Sequence, residues 1–89
     1  MSLMNKPMLK VKLLFFATLR DRTGLKQTEI EIPEGTTIDE LKALLQERFP
    51  GIRPTLETAL MSINREFAFD KDEIPAGAEI AIFPPVSGG

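Results

Sequence analysis

The stretch that decides the fold is Thr36–Phe49, which reads TTIDELKALLQERF. Thr37 is followed three residues later by Glu40, the spacing of a capping box in which a hydroxyl and a carboxylate satisfy free N–H groups at a helix start. Apolar residues then recur at helical spacing and would form one stripe: Ile38, Leu41, Leu44, Leu45 and Phe49. Pro50-Gly51 ends the pattern. We therefore predict an amphipathic helix from Ile38 to Arg48 or Phe49 whose apolar stripe must be covered.

Two β-strands are predicted on the N-terminal side of this helix. Leu9–Ala17 (LKVKLLFFA) and Gln27–Ile32 alternate with period 2 and are rich in β-favouring residues. The alternation assigns these side chains to the core face: Leu9, Val11, Leu13, Phe15 and Ala17 in the first strand, and Thr28, Ile30 and Ile32 in the second. Thr18–Lys26 contains charges and Gly24, so we predict a loop. A short polar loop between two strands indicates an antiparallel hairpin.

Shorter strands are predicted on the C-terminal side. Ile52–Thr58 contains Pro54 and is predicted to be a loop with at most a short turn. Leu60–Asn64 is a third strand, and Phe67–Phe69 is a short strand after a turn. A charged loop then leads to a last strand, Glu79–Phe83. The side chains expected to face inward are Met61, Ile63, Ile80 and Ile82.

The resulting order, β-β-α-β-(β)-β, predicts an α+β fold in which one main helix covers one face of a mixed sheet of four or five strands. With the first and last strands adjacent and parallel in the middle, this arrangement is a β-grasp, or ubiquitin-like, fold. We expect residues 1–8 to be a disordered N-terminus or a vector-derived addition, 9–83 to be the domain, and 84–89 to be a flexible tail.

Composition restricts the chemistry of the chain. Its 89 residues contain no Cys, His, Trp or Tyr, which excludes thiolate nucleophiles, Cys-ligated zinc and a histidine general base. Asp70, Asp72 and Glu73 match no metal-ligand spacing, so no metal site is expected. A net charge of −2 argues against a nucleic-acid partner, and no apolar run is long enough to span a membrane. We expect a cytoplasmic protein that is not an enzyme on its own.

The outward face of the sheet is a candidate partner-binding surface. Leu14, Phe16, Ala81 and Phe83 share the outward parity, and Phe67 is expected to join them. Exposed aromatic residues that cluster beside a tail are typical of an interface. The alternative is that some of these rings lie in a small second core under a loop.

The C-terminal segment FPPVSGG is the second candidate functional feature. The pair Pro84-Pro85 favours an extended backbone and reduces the entropy lost on insertion into a cleft. Gly88 and Gly89 lack Cβ, so the backbone can pass a constriction. The segment after Phe83 can reach about 20 Å when extended. The alternative is an ordinary frayed terminus.

Three segments, LFFATLRDRTG, INREFAFD and IPAGAEIAIFPPVSGG, resemble the MoaD/ThiS family of ubiquitin-like sulfur carriers, which includes the small subunit of molybdopterin synthase. The resemblance covers Leu9–Gly89. It implies that an ATP-dependent adenylyltransferase activates the Gly89 carboxylate and that a sulfurtransferase supplies sulfur to give a thiocarboxylate. It also implies insertion of the tail into the large catalytic subunit of the synthase, in a heterotetramer, with sulfur delivered to a pterin precursor. The inserted residues would be Pro84, Pro85, Val86, Ser87 and Gly88.

The family also has a basic residue after the first strand, and Arg20 matches that position. The resemblance implies a polar contact at the rim of the interface; a solvated loop arginine is the alternative. It implies no cofactor bound by this chain alone. A thiamine-pathway sulfur carrier or a ubiquitin-like protein modifier would use Gly89 in the same way. A β-grasp adaptor with an inert tail is a further alternative.

Overall fold

The computed structural model describes residues 7–85, which form five strands and a set of helices around one sheet. The elements run in the order β1 (Met8–Phe15), α1 (Ala17–Thr23), β2 (Gln27–Pro33), α2 (Ile38–Arg48), a 3₁₀ turn (Pro50–Ile52), α3 (Arg53–Thr58), β3 (Leu60–Ile63), β4 (Glu66–Phe67) and β5 (Glu79–Phe83). Val86–Gly89 of the predicted tail and residues 1–6 of the N-terminal segment, which was expected to be disordered or vector-derived, lie outside the described residues.

The sheet has the order β2-β1-β5-β3-β4, with β1 and β5 parallel at its centre and the other neighbours antiparallel. The predicted β-grasp topology, the antiparallel pairing of β1 with β2 and the central parallel pair are therefore confirmed. The first strand begins one residue earlier than expected, because Met8 pairs with Pro33. A parallel pair needs a long crossover, and the chain between β1 and β5 supplies it with α2.

The core lies between the sheet and α2. Ile38, Leu41 and Leu45 of the predicted stripe are buried, and Leu44 and Phe49 pack against the same cluster. The inward residues of the strands meet them, as predicted: Val11, Leu13, Phe15, Ile30, Ile32, Met61, Ile80 and Ile82 are all buried. Burial of this apolar surface is the main term that stabilises the domain.

The helix α2 begins as predicted. Thr37 forms the capping box with Glu40, whose carboxylate accepts a hydrogen bond from the Thr37 N–H at 2.9 Å. The loop before β5 completes the helix start, because the N–H groups of Ile38 and Asp39 donate to the carbonyl oxygens of Asp72 (3.1 Å) and Asp70 (3.0 Å). The charged loop therefore satisfies N–H groups that a free helix terminus would leave to water.

The prediction of a loop over Thr18–Lys26 was wrong, since α1 occupies Ala17–Thr23. Leu19 is fully buried and holds the helix against the core, which a short charged segment does not reveal. Gly24 ends the helix in the left-handed region at φ 74°. Ala17 was predicted to face inward from the first strand, but it is exposed at the start of α1 with φ 53°.

The prediction of a loop over Ile52–Thr58 was also wrong. Ile52 closes the 3₁₀ turn and Leu56 lies on α3, and both side chains are fully buried. The short strand expected at Phe67–Phe69 is β4, Glu66–Phe67, so Phe69 lies beyond it. In the two missed helical segments, burial of Leu19, Ile52 and Leu56 fixes a structure whose local sequence pattern is weak.

Candidate partner-binding face

Four outward side chains form a row across the sheet. Leu14 of β1 pairs with Ala81 of β5, Ala81 pairs with Ser62 of β3, and Ser62 pairs with Phe67 of β4. Residues directly opposite one another in a sheet project from the same face. The predicted interface residues Leu14, Ala81 and Phe67 therefore lie side by side, because the register of four strands places them in line.

Two more aromatic rings lie next to this row, where β5 ends. The rings of Phe16 and Phe83 stack with their centroids 4.8 Å apart and an interplanar angle of 14°. Phe16 follows β1 and keeps an extended backbone (φ −119°, ψ 152°), so its ring stays on the outward side. Leu60 of β3 pairs with Phe83. The stack remains open to solvent, since Phe16 is 40% exposed.

These residues enclose a shallow depression of about 430 Å³. Its lining, which we call the aromatic face, consists of Leu14, Phe16, Ser62, Arg65, Phe67, Glu79, Ala81 and Phe83. The structure thus brings together five of the six predicted interface residues, and Phe67 is 72% exposed rather than part of a second core. An exposed group of apolar rings of this kind is typical of a docking site.

The sixth predicted residue, Arg20, is exposed on α1 and is not among the residues that line the aromatic face. Its N–H donates to the Phe16 carbonyl at 3.4 Å and its carbonyl accepts from Gly24, so its backbone belongs to the helix that follows the aromatic stack. A rim contact by Arg20 stays a prediction.

Three residues that line the aromatic face, Ser62, Arg65 and Glu79, were missed at the level of sequence, as was Leu60, which pairs with Phe83 next to the face. Leu60 is 43% exposed, and its parity relative to the inward Met61 and Ile63 was the signal that could have revealed it. The same parity argument assigns Ser62 outward. Arg65 carries no such signal, because it lies in the turn between β3 and β4 and reaches the face only through the turn geometry.

The outward side is divided into an apolar end and a charged end. Toward the start of β5, Lys12 pairs with Glu29 of β2 and Glu79 of β5, and Lys10 pairs with Glu31. Cross-strand pairs of opposite charge are mildly stabilising and keep this part of the sheet hydrated. The apolar end is the one at which β5 gives way to the tail.

The predicted tail starts where β5 stops. Phe83 is the last residue of β5, Pro84 is half-buried and Pro85 is exposed. Proline has no N–H to donate, so it cannot extend the ladder. The predicted insertion residues Val86, Ser87 and Gly88 and the predicted reactive residue Gly89 lie outside the described residues, so their roles stay predictions.

The acidic loop is part of the α2 start rather than a cluster with ligand geometry. Lys42 pairs with Asp70 at 3.5 Å and Lys71 with Asp39 at 3.0 Å. Hydrogen bonds from the Thr37 hydroxyl and then from Lys71 lower the pKa of Asp39 to about 2. Among residues 7–85 no group of acidic side chains is arranged to hold a metal ion. In the same range, no helix is both long and apolar enough to cross a membrane.

The topology and the aromatic face define this chain as a ubiquitin-like β-grasp domain with an apolar outward surface next to its C-terminal strand. The chain belongs to the ThiS family, whose model matches residues 13–89. This confirms the resemblance seen in the sequence.

Relatives match over nearly the full length. The molybdopterin synthase sulfur carrier subunit of Dictyostelium discoideum is 38% identical over 88% of this chain and 94% of that protein. The protein of the same name from Caenorhabditis briggsae is 31% identical over 92% of this chain and all of its own length. Among solved structures, a putative molybdopterin converting factor subunit 1 from Pyrococcus furiosus superposes with a TM-score of 0.78 at 27% identity, covering 88% of this chain and 99% of that one.

Proposed function

We propose that this chain is the sulfur carrier of a molybdopterin synthase and that the main-chain carboxylate of Gly89 carries the sulfur. The observation on which the proposal depends is the continuity of the aromatic face with Phe83, the residue directly before Pro84-Pro85, in a member of the ThiS family. Relatives that bear the name of such a carrier match nearly the whole chain. According to this proposal, the aromatic face binds the partner protein and thereby positions the C-terminal tail that follows Phe83.

The chemistry begins with the activation of a poor electrophile. An oxygen of the Gly89 carboxylate attacks the α-phosphorus of ATP on an adenylyltransferase, and pyrophosphate leaves. Sulfur at the oxidation level of sulfide, supplied by a sulfurtransferase, then attacks the carbonyl carbon, and AMP leaves with the original oxygen. The chain has no Cys or His, so the groups that catalyse these steps come from the partner proteins.

Delivery of the sulfur requires insertion of the tail into the large subunit. Residues 84–89 span about 20 Å when extended, which suffices to reach a covered active site while the domain stays outside. The aromatic face would dock on the large subunit and hold the tail in line with that site. There the thiocarboxylate sulfur would attack a carbon of a pterin precursor and displace an oxygen substituent. Water would then cleave the acyl–sulfur bond, so that Gly89 returns as a carboxylate and the sulfur stays on the pterin, toward the dithiolene of molybdopterin. A heterotetramer and a cytoplasmic location belong to the same proposal.

Intact mass spectrometry tests the proposal. The chain is co-expressed with the adenylyltransferase and sulfurtransferase of the same organism, and we expect a gain of about 16 Da, one oxygen replaced by sulfur, on the C-terminal peptide. Isopeptide-linked products on lysines, without transfer to a pterin, would instead identify a protein modifier.

A pair of deletions separates a carrier from an adaptor. Removal of Gly88 and Gly89 should abolish the mass gain and synthase activity while the thermal midpoint stays unchanged, because the core ends at β5. The matched control removes Ser2 and Leu3 at the other end and should keep both. Full sulfur transfer by a chain with residues irreversibly fused after Gly89 would overturn the proposal.

A further inference from the structure

The turn between β3 and β4 has an unusual residue, Arg65, at its second position. Ile63 pairs with Glu66, so Asn64 and Arg65 alone connect the two strands. Both connecting residues have positive φ, 50° and 74°. Two-residue hairpins of this kind favour Asn followed by Gly, because positive φ strains a residue that carries a Cβ.

Asn64 suits its position. Asparagine tolerates the left-handed region, and its side-chain oxygen accepts a hydrogen bond from the Glu79 N–H at 2.9 Å. The Asn64 N–H donates to the Glu79 carbonyl at the same distance. These two bonds tie the turn to β5, and both of them are made by Asn64.

Arg65 suits its position less well than Asn64 does, because its φ of 74° is a backbone angle at which glycine is favoured. Its side chain is exposed and lines the aromatic face beside Phe67 and Glu79. The ion pairs found among residues 7–85 join Lys42 to Asp70 and Lys71 to Asp39, so neither of them uses Arg65. A long cation thus occupies a strained position at a candidate docking surface without an ion pair inside the described domain, which points to a role outside the free chain.

We propose that Arg65 is a specificity-determining contact of the aromatic face and that its guanidinium pairs with a carboxylate of the docking protein. This inference rests on the proposed function. Arginine is suited to the task because its planar fork binds a carboxylate with two hydrogen bonds at low desolvation cost. At the polar rim of an apolar patch, such a charge guides the encounter of the two proteins and fixes their relative orientation.

The position of Arg65 favours a protein carboxylate over a nucleotide phosphate. Leu60, at the start of β3, pairs with Phe83 where the tail begins, whereas Arg65 follows the other end of β3. Leu60 and Ile63 are three residue steps apart along β3, or about 10 Å. Pro84 follows Phe83 at the Leu60 end, so the chain leaves the sheet there, whereas Arg65 lies at the opposite end of β3 and would contact the partner's docking surface.

Opposite effects on folding and on binding test the proposal. In Arg65→Gly, relief of the strain at φ 74° offsets the extra freedom of the unfolded chain, so the urea midpoint should stay equal or rise. Association with the large subunit of the synthase, followed by stopped-flow fluorescence at low salt, should slow by about 3- to 10-fold. The difference should vanish at high salt, where rim charges are screened. Arg65→Lys should keep the association rate within about twofold, since it retains the charge, but should dissociate faster, since an ammonium group cannot form the two parallel hydrogen bonds.

Arg53→Gln is the matched control, because it removes one exposed positive charge from α3 on the helical side of the domain. It should leave the association rate unchanged. Equal rates for the parent and Arg65→Gly, or a lower urea midpoint that accompanies the slower binding, would overturn the inference. Failure of the proposed function would look different, because the parent chain itself would then neither bind the large subunit nor gain sulfur.

Discussion

Truncation of Phe67 to alanine tests whether the aromatic face binds the large subunit. Phe67 is 72% exposed, so of roughly 200 Å² of aromatic side chain about 140 Å² is left for a partner to bury. At about 25 cal/mol/Å², burial of this area on binding contributes a favourable free energy of ~3.5 kcal/mol before the costs of association are subtracted. Alanine retains Cβ, and the partner surface that receives the ring relaxes in part. We therefore expect a loss of ~2–3 kcal/mol of binding free energy, which raises Kd roughly 30- to 150-fold.

The free energy of unfolding should change by no more than about 0.5 kcal/mol, because the Phe67 side chain is mostly exposed and packs little against the core. Isothermal titration with the large subunit gives Kd, and urea unfolding gives the stability. Phe69→Ala is the matched control, since Phe69 is 76% exposed but does not line the aromatic face. If Phe67→Ala binds within about twofold of the parent, or if both variants weaken binding equally, the aromatic face is not the docking surface.

Three further predictions concern the scaffold and are measured by urea unfolding. Thr37→Ala removes half of the capping box and should destabilise the domain by about 1 kcal/mol, whereas Thr37→Ser should be nearly neutral; equal losses would contradict a capping role. Because the pKa of Asp39 in the folded state is lowered to about 2 from 3.8, its carboxylate should stabilise the folded domain above pH 3.8. This contribution to the free energy of unfolding should disappear as pH falls toward 2. The midpoints of the parent and Asp39→Asn should therefore converge over this range, and a constant gap would argue against the assignment. Gly24→Ala places a Cβ in open space but at φ 74°, so it should cost about 1 kcal/mol through backbone strain alone, and no loss would show that the α1 terminus relaxes freely.

The helix α2 and the strands were predictable because their signals are local. The capping box at Thr37 and the stripe from Ile38 to Phe49 depend only on spacing along the chain, and both were confirmed. The alternation in β1 and β5 likewise depends only on the pleat. The helix α1 was missed because seven residues are too few for a periodic pattern, and its stability depends on Leu19, whose burial is a tertiary fact.

Parity also predicted that Leu14, Phe16, Ala81 and Phe83 point away from the core, but the face that they form depends on which strands are neighbours. Arg65 shows the limit most clearly, since no periodicity applies to a turn, and only the fold of the turn places this residue in the lining of the aromatic face.

By itself, then, the sequence determined the secondary structure of the long elements, the inward side chains of β1, β2, β3 and β5 and the family of the chain. The tertiary structure alone decided the register of β3 against β5, the two short helices and the composition of the aromatic face. The physical reason is one of range. Side-chain alternation and helix capping arise from interactions between residues a few positions apart, whereas the choice of neighbouring strands arises from burying one helix stripe against the whole sheet at once.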